Sequence, residues 1–202
     1  MPARNRIEAN DSTIMKIVRD EIGYFGPMVN LNHIDVSQVT NMHALFFRTN
    51  FNGDISKWDV SNVKTLARVF ECSQFNGDIS GWDVGNVSNM EEGFRESKFN
   101  GDISKWNVSN VENMFAMFFG SVFDGNISGW NVLKVTNMNL MFYGSTFKDD
   151  ISNWKLNENL NIDKSLRSVM EKSYELKNLK DAENLKDKLK DRDVEKKLIK
   201  TL

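Results

Sequence analysis

A chain of 202 residues with 40% apolar content is long enough to bury the core of one domain. A net charge of −2 and a pI near 5.8 exclude the global basic field that draws a protein onto nucleic acid or an anionic membrane. One cysteine, Cys72, and two histidines, His33 and His43, exclude an intramolecular disulfide framework and a closed zinc site, and fit a reducing compartment.

The N-terminal stretch MPARNRIEANDSTIMKIVRDEIG has no apolar run of signal-peptide length and no lipobox-like cysteine, and no run of about 18 apolar residues follows it. The expectation is a cytoplasmic or intracellular protein with no membrane span. Asp11 to Ile22 reads as a helix, with Asp11 or Ser12 at its N-cap, apolar Ile14, Met15, Ile17, Val18 and Ile22, and Gly23 closing it.

From Phe51 the chain repeats. FNGDISKWDVSNV, FNGDISGWDVGNV, FNGDISKWNVSNV, FDGNISGWNVLKV and FKDDISNWKL begin at Phe51, Phe75, Phe99, Phe123 and Phe147, each 24 residues after the last. All five tryptophans (Trp58, Trp82, Trp106, Trp130, Trp154) keep this register, as do Ile55, Ile79, Ile103, Ile127 and Ile151. IDVSQVTNMHALFF from Ile34 is a partial leading unit, with Ile34 in the tryptophan position and Leu31 in the isoleucine position.

Within a unit, alternation around Trp58-Asp59-Val60 predicts a short strand with Asp59 outward. The three-and-four spacing of Val63, Leu66, Val69 and Phe70 predicts a short helix, and Asn-Gly in FNGD supplies a turn. One unit cannot bury its own apolar face, but adjacent units bury each other's, at roughly 1.5 to 3 kcal/mol per large side chain. The expected fold is α/β, a solenoid of 24-residue strand-helix repeats. Its divisions are a lead-in and capping helix over 1–30, the partial unit and five full units over 31–160, and a second capping helix with a charged tail over 161–202. End caps are expected because a repeat stack otherwise exposes an apolar face and a strand edge.

The W-D-V-S-N-V and F-N-x-D-I-S segments, with the lead-in helix and Tyr24-Phe25-Gly26-Pro27, resemble the BspA-like leucine-rich repeat family found in mycoplasma-type surface lipoproteins. The resemblance covers about residues 12 to 157. It implies a leucine-rich-repeat-like solenoid and a role in binding or adhesion, usually at a cell surface. Surface members carry export signals, which this chain does not show, and related repeats occur in large DNA viruses and phage-like genomes.

After Trp154 the repeat decays, and from Asp163 the pattern is helical, with Leu166, Val169, Met170 and Tyr174 on one face. Beyond Lys177 the composition shifts to Lys, Asp, Glu and Leu, with Leu179, Ala182, Leu185 and Leu189 at helical spacing. This tail reads either as a helix for self-association or partner binding, or as a solvated helix of mixed charge.

The outward strand positions form a concave ladder, Asp35, Asp59, Asp83, Asn107, Asn131 and Lys155. Beside it run His33, Lys57, Gly81, Lys105, Gly129 and Asn153 on one side, and Ser37, Ser61, Gly85, Ser109, Leu133 and Asn157 on the other. The candidate partner-binding residues are His33, Asp35, Lys57, Asp59, Asp83, Lys105, Asn107, Asn131 and Lys155. The competing account is that Asp, Asn and Ser here satisfy backbone groups at bends. A second column, Asp54, Asp78, Asp102, Asn126 and Asp150, offers one carboxylate per unit where calcium takes about six to eight oxygens, so turn capping is the better account. The methionines, phenylalanines and tryptophans at helical spacing read as core.

No GxSxG, Gly-rich phosphate loop, HExxH or paired Cys/His arrangement occurs. The expectation is a non-enzymatic module without metal or cofactor that binds a protein partner through the ladder, not a nucleic acid. The alternatives are a surface or adhesion protein, or a structural or counter-defence component of a viral or phage assembly.

Overall fold

The structure, a computed structural model, describes residues 4–160, 163–175, 177 and 178. A two-residue strand β1 (Ile7–Glu8) precedes helix α1 (Ile14–Phe25), and β1 pairs in parallel with β2 (Ile34–Asp35) in the leading unit. The repeats follow, and residues 164–175 form a second helix, α2.

The inward set follows the register of the sequence. Ile55, Trp58, Val60, Val63, Leu66, Val69 and Phe70 are buried, and their counterparts join them in one core. Two columns of parallel phenylalanine rings run through it. Phe51, Phe75, Phe99, Phe123 and Phe147 have centroids 5.9, 6.2, 6.3 and 6.3 Å apart, and Phe46, Phe70, Phe94, Phe118 and Phe142 lie 5.3, 5.6, 5.7 and 6.1 Å apart. Each tryptophan also answers the demand of its buried indole N–H. Trp58, Trp82, Trp106, Trp130 and Trp154 donate to the carbonyls of Leu31, Ile55, Ile79, Ile103 and Ile127 at 3.0–3.2 Å.

The expected short helix in each unit is not formed among the described residues, and the reason lies in where the backbone N–H groups go. Met42, Ala44, Phe46 and Arg48 donate to Thr65, Ala67, Val69 and Glu71 in the next unit at 2.9–3.1 Å, while the intervening Leu45, Phe47 and Thr49 donate three residues back. A helix would consume all of these donors internally. The chain instead makes a string of turns, with left-handed residues at Ala44, Arg68, Glu92, Ala116 and Leu140 (φ 49 to 61°) and four residues later at Arg48, Cys72, Glu96, Gly120 and Gly144 (φ 50 to 68°). The three-and-four spacing of apolar residues serves this winding as well as it would a helix.

The strand expected at Trp58-Asp59-Val60 is likewise absent, although Asp59 does point out between two buried neighbours. Parallel bridges run elsewhere, through Asn41, Thr65, Asn89, Asn113 and Asn137. The glycine of FNGD is needed for close approach, because a Cβ on Gly77 would lie 2.8 Å from the Phe75 ring and 3.1 Å from the Gly53 carbonyl oxygen.

At the N-terminal end α1 begins later than expected. Thr13 occupies the N-cap without a side-chain cap bond, and Asp11 instead accepts from the Thr40 N–H and hydroxyl (both 2.7 Å) and the Asn41 N–H (3.0 Å). The helix runs through Gly23 to Phe25, and Gly26 (φ 87°) ends it. At the other end, α2 buries Leu166 and half-buries Val169 and Met170, while Tyr174 is 49% exposed. Asp163 accepts from the Leu166 N–H at 2.9 Å and from the Leu140 N–H at 2.6 Å. The charged tail from residue 179 onward, and with it the self-association reading, lies outside the described residues.

Candidate functional site

The outward ladder is built on turns. In each unit the Asp or Asn at the ladder position accepts from the backbone N–H two residues on: Asp35 from Ser37, Asp59 from Ser61, Asp83 from Gly85, Asn107 from Ser109 and Asn131 from Leu133, all at 3.0–3.2 Å. These side chains therefore hold the bend that follows the tryptophan. The hydroxyl of Ser61, then its N–H, draw the Asp59 carboxylate below the ordinary range. The second column works the same way, with Asp54, Asp78, Asp102, Asn126 and Asp150 accepting from the N–H of Ser56, Ser80, Ser104, Ser128 and Ser152 at 2.8–3.0 Å. Among the described residues no group of three or more His, Cys, Asp and Glu is arranged to hold a metal.

Capping engages only Oδ1 of Asp59 and Asp83, and the neighbouring lysines face the solvent. Lys57, Asp59, Asp83, Lys105, Asn107, Asn131 and Lys155 are exposed, whereas Asp35 is half-buried. Gly81 separates Lys57 from Lys105 and Gly129 separates Lys105 from Asn153, and a Cβ at either glycine would meet nothing within 4 Å. Neither backbone geometry nor packing requires glycine there, so the row of side chains is notched.

His33 departs from the ladder. Its side chain is 11% exposed and its Nε2 lies 3.4 Å from the Glu21 carboxylate of α1. The cap has closed over it. Glu21 also accepts from Arg4 at 2.6 Å, and Arg6 pairs with Asp35. That pairing, ahead of the bonds from Ser37, holds the Asp35 carboxyl down at about 2.

An open cleft of about 500 Å³ sits here, lined by Arg4, Arg6, His33, Asp35, Lys57 and Asp59 with Ile34 and Val36 in its wall. The ladder thus contributes four of its residues to one concavity at its N-terminal end, and leaves Asp83, Lys105, Asn107, Asn131 and Lys155 outside it. Arg4 and Arg6 went unread in the sequence, because they stand in a segment with no periodicity and their partners lie 17 and 29 residues away.

A separate cluster spans two units. Arg68 pairs with Glu71 and stands 3.5 Å from Glu92; Arg95 bonds Glu92 at 2.6 Å. Phe47 and Phe119 lie beneath the two guanidiniums, with centroids 4.6 and 4.8 Å away. Beside it, burial and then the hydrogen-bonded Glu96 carboxylate push the Cys72 thiol up.

No helix among the described residues is long and apolar enough to cross a membrane. No curated protein and no solved structure matches the chain. A family model does, over residues 23–121 and again over 72–179, two overlapping stretches that together take in the leading unit and all five repeats but only the end of α1. By that coverage, well over half of its length, the chain belongs to the family described as "Mycoplasma protein of unknown function, DUF285".

Proposed function

We propose that this protein is a non-enzymatic interaction module, a leucine-rich-repeat-like solenoid of the BspA-like kind, whose units present the Asp59 ladder and its lysines to a protein partner. The observation that carries this reading is the row of exposed charges on a hydrogen-bonded frame. The turn-forming oxygens fix the Asp and Asn side chains in place, while Lys57 and Lys105 project beside the notches at Gly81 and Gly129. A frame ordered before binding loses little further entropy on association. Action inside a cell is the preferred setting, and the surface or adhesion role suggested by the family resemblance is the second reading.

The test removes charge without removing turns. Asp→Asn keeps the capping oxygen, as Asn107 and Asn131 demonstrate. The variant Lys57→Gln/Asp59→Asn/Asp83→Asn/Lys105→Gln should lose capture of the native partner while its thermal transition stays within a few degrees of the parent. Undiminished capture moves the interface off this ladder.

A further inference from the structure

We propose that the cleft at the N-terminal end of the ladder receives an acidic side chain, the carboxylate of an Asp or Glu on the protein partner; this rests on the reading that the partner meets the Lys57 side of the units. Three cations, Arg4, Arg6 and Lys57, line the cleft against two carboxylates, Asp35 and Asp59. Asp35 is engaged through both oxygens, by Arg6 and the Ser37 N–H, whereas Asp59 takes the Ser61 N–H (3.1 Å) and hydroxyl (2.6 Å) both on Oδ1.

The cations are not spent in the same way. Arg4 is pinned at one edge by Glu21, with its guanidinium 3.7 Å over the centroid of Phe25. Arg6 pairs with Asp35, with Glu8 acting on it only at a distance, and its side chain is 72% exposed. A guanidinium fixed through one edge keeps further N–H donors, in a plane already oriented. The exposed Lys57 attracts Asp54 at a distance, and its ammonium bonds to nothing among the described residues. An incoming carboxylate can accept from Arg6 and Lys57 together in charge-assisted bonds, whereas an incoming cation would meet three cations in the lining against two carboxylates.

The experiment is a titration of the isotope-labelled full chain at low salt with hexaglutamate, inorganic phosphate and hexalysine, followed by the backbone amide signals. Hexaglutamate is expected to move those of His33, Asp35, Lys57 and Asp59. Arg6→Gln/Lys57→Gln should weaken its binding by about tenfold or more, the size of one lost charge-assisted bond. Lys155→Gln, at the far end of the ladder, should change it by less than about twofold. Because the Lys57 ammonium bonds to nothing among the described residues, and its N–H bond to the Asn32 Oδ1 is kept on substitution, Lys57→Gln alone gives the readout without disturbing the cap.

Phosphate as effective as hexaglutamate, hexalysine moving the same signals, or shifts spread evenly over Lys64, Lys105 and Lys155 would each overturn the assignment. The two proposals separate in partner capture. Loss with Asp83→Asn/Lys105→Gln but not with Arg6→Gln/Lys57→Gln keeps the ladder and removes the cleft. Hexaglutamate binding alongside capture indifferent to both variants overturns both, because the partner then uses neither the cleft nor the wider face.

Discussion

The indole N–H of Trp106 donates a 3.1 Å hydrogen bond to the carbonyl oxygen of Ile79, 27 residues earlier and one unit back. The bond crosses the boundary between copies inside the core, where no water can replace it. Trp106→Phe removes the donor, leaves a buried acceptor unpaired and shrinks the ring. A loss of about 2 to 4 kcal/mol is expected, read as a lower urea midpoint with an unchanged slope. A loss below about 0.5 kcal/mol would show that the carbonyl finds another partner.

The asparagine column makes a sharper comparison. Asn76 donates its N–H to the Asn52 Oδ1 at 2.8 Å, and its own Oδ1 accepts from the Asn100 N–H at 2.7 Å. Asp124 stands in the same column and accepts from Lys148 through Oδ1 at 2.8 Å. Asn76→Asp keeps the acceptor and should stay within about 0.5 kcal/mol of the parent, while Asn76→Ala should cost about 1 to 2 kcal/mol. Equal denaturation midpoints for the two would mean that the inter-unit bond contributes nothing.

Glu96 sits at φ 50°, in the column that Gly120 and Gly144 occupy in later units. It is exposed, and its nearest guanidinium contact, with Arg95, is 3.5 Å long. Glu96→Gly should leave stability unchanged or raise it by up to about 1 kcal/mol, since the left-handed conformation costs glycine nothing. Glu96→Val should lower it by about 1 to 2 kcal/mol, because a branched Cβ crowds the backbone there. Thermal melts of the pair give the order directly, and a more stable valine variant would contradict the left-handed assignment.

Several carboxylates are held below their ordinary range. Asp35, through Arg6, lies at about 2, and Asp11 is lowered by the Thr40 hydroxyl. Asp78 is lowered by the Ser80 N–H. A depressed folded pKa contributes stability that is fully present above the unfolded value of about 3.9 and is lost as pH falls through the folded value. Stability should therefore be flat near neutrality and fall from about pH 5 toward pH 2. Asp35→Asn should flatten that acid limb and make it less sensitive to salt, as measured by urea midpoints across pH at two ionic strengths.

The inward half of this molecule was legible in the sequence. Trp58, Val60, Val63, Leu66 and Phe70 are buried as their spacing requires, because burial depends only on which residues share a side. The backbone between them was not legible. Residues 42–48 wind as turns because their alternate N–H groups find carbonyls 23 residues ahead, and a local window holds no trace of so distant a partner. Ala44, Arg68 and Glu92 give no local hint of positive φ; only Gly120 and Gly144 do. The ladder was read correctly as outward at Lys57, Asp59 and Asp83, but His33 was not, since α1 covers it through Glu21. Whether Asp59 serves a turn or a partner was open in the sequence. The geometry assigns one oxygen of that carboxylate to the turn.

The two aspartates at the ends have a bearing on length. Between units, Lys64 donates its N–H to the Thr40 carbonyl, Ser88 to Lys64, Glu112 to Ser88 and Thr136 to Glu112. In that series the N–H of Thr40 has no earlier unit to reach for, and Asp11 accepts it. Ala44, Arg68, Glu92 and Ala116 donate forward to Ala67, Glu91, Phe115 and Asn139, and for Leu140, at the last step, Asp163 takes the carbonyl's place. Each carboxylate impersonates an absent neighbour, so the series is terminated chemically at both ends while its middle stays interchangeable. A gene carrying one more copy spliced in after Lys98 would present Asp11 and Asp163 with the same orphans as before, and the register gives such a chain no reason to stop counting at five.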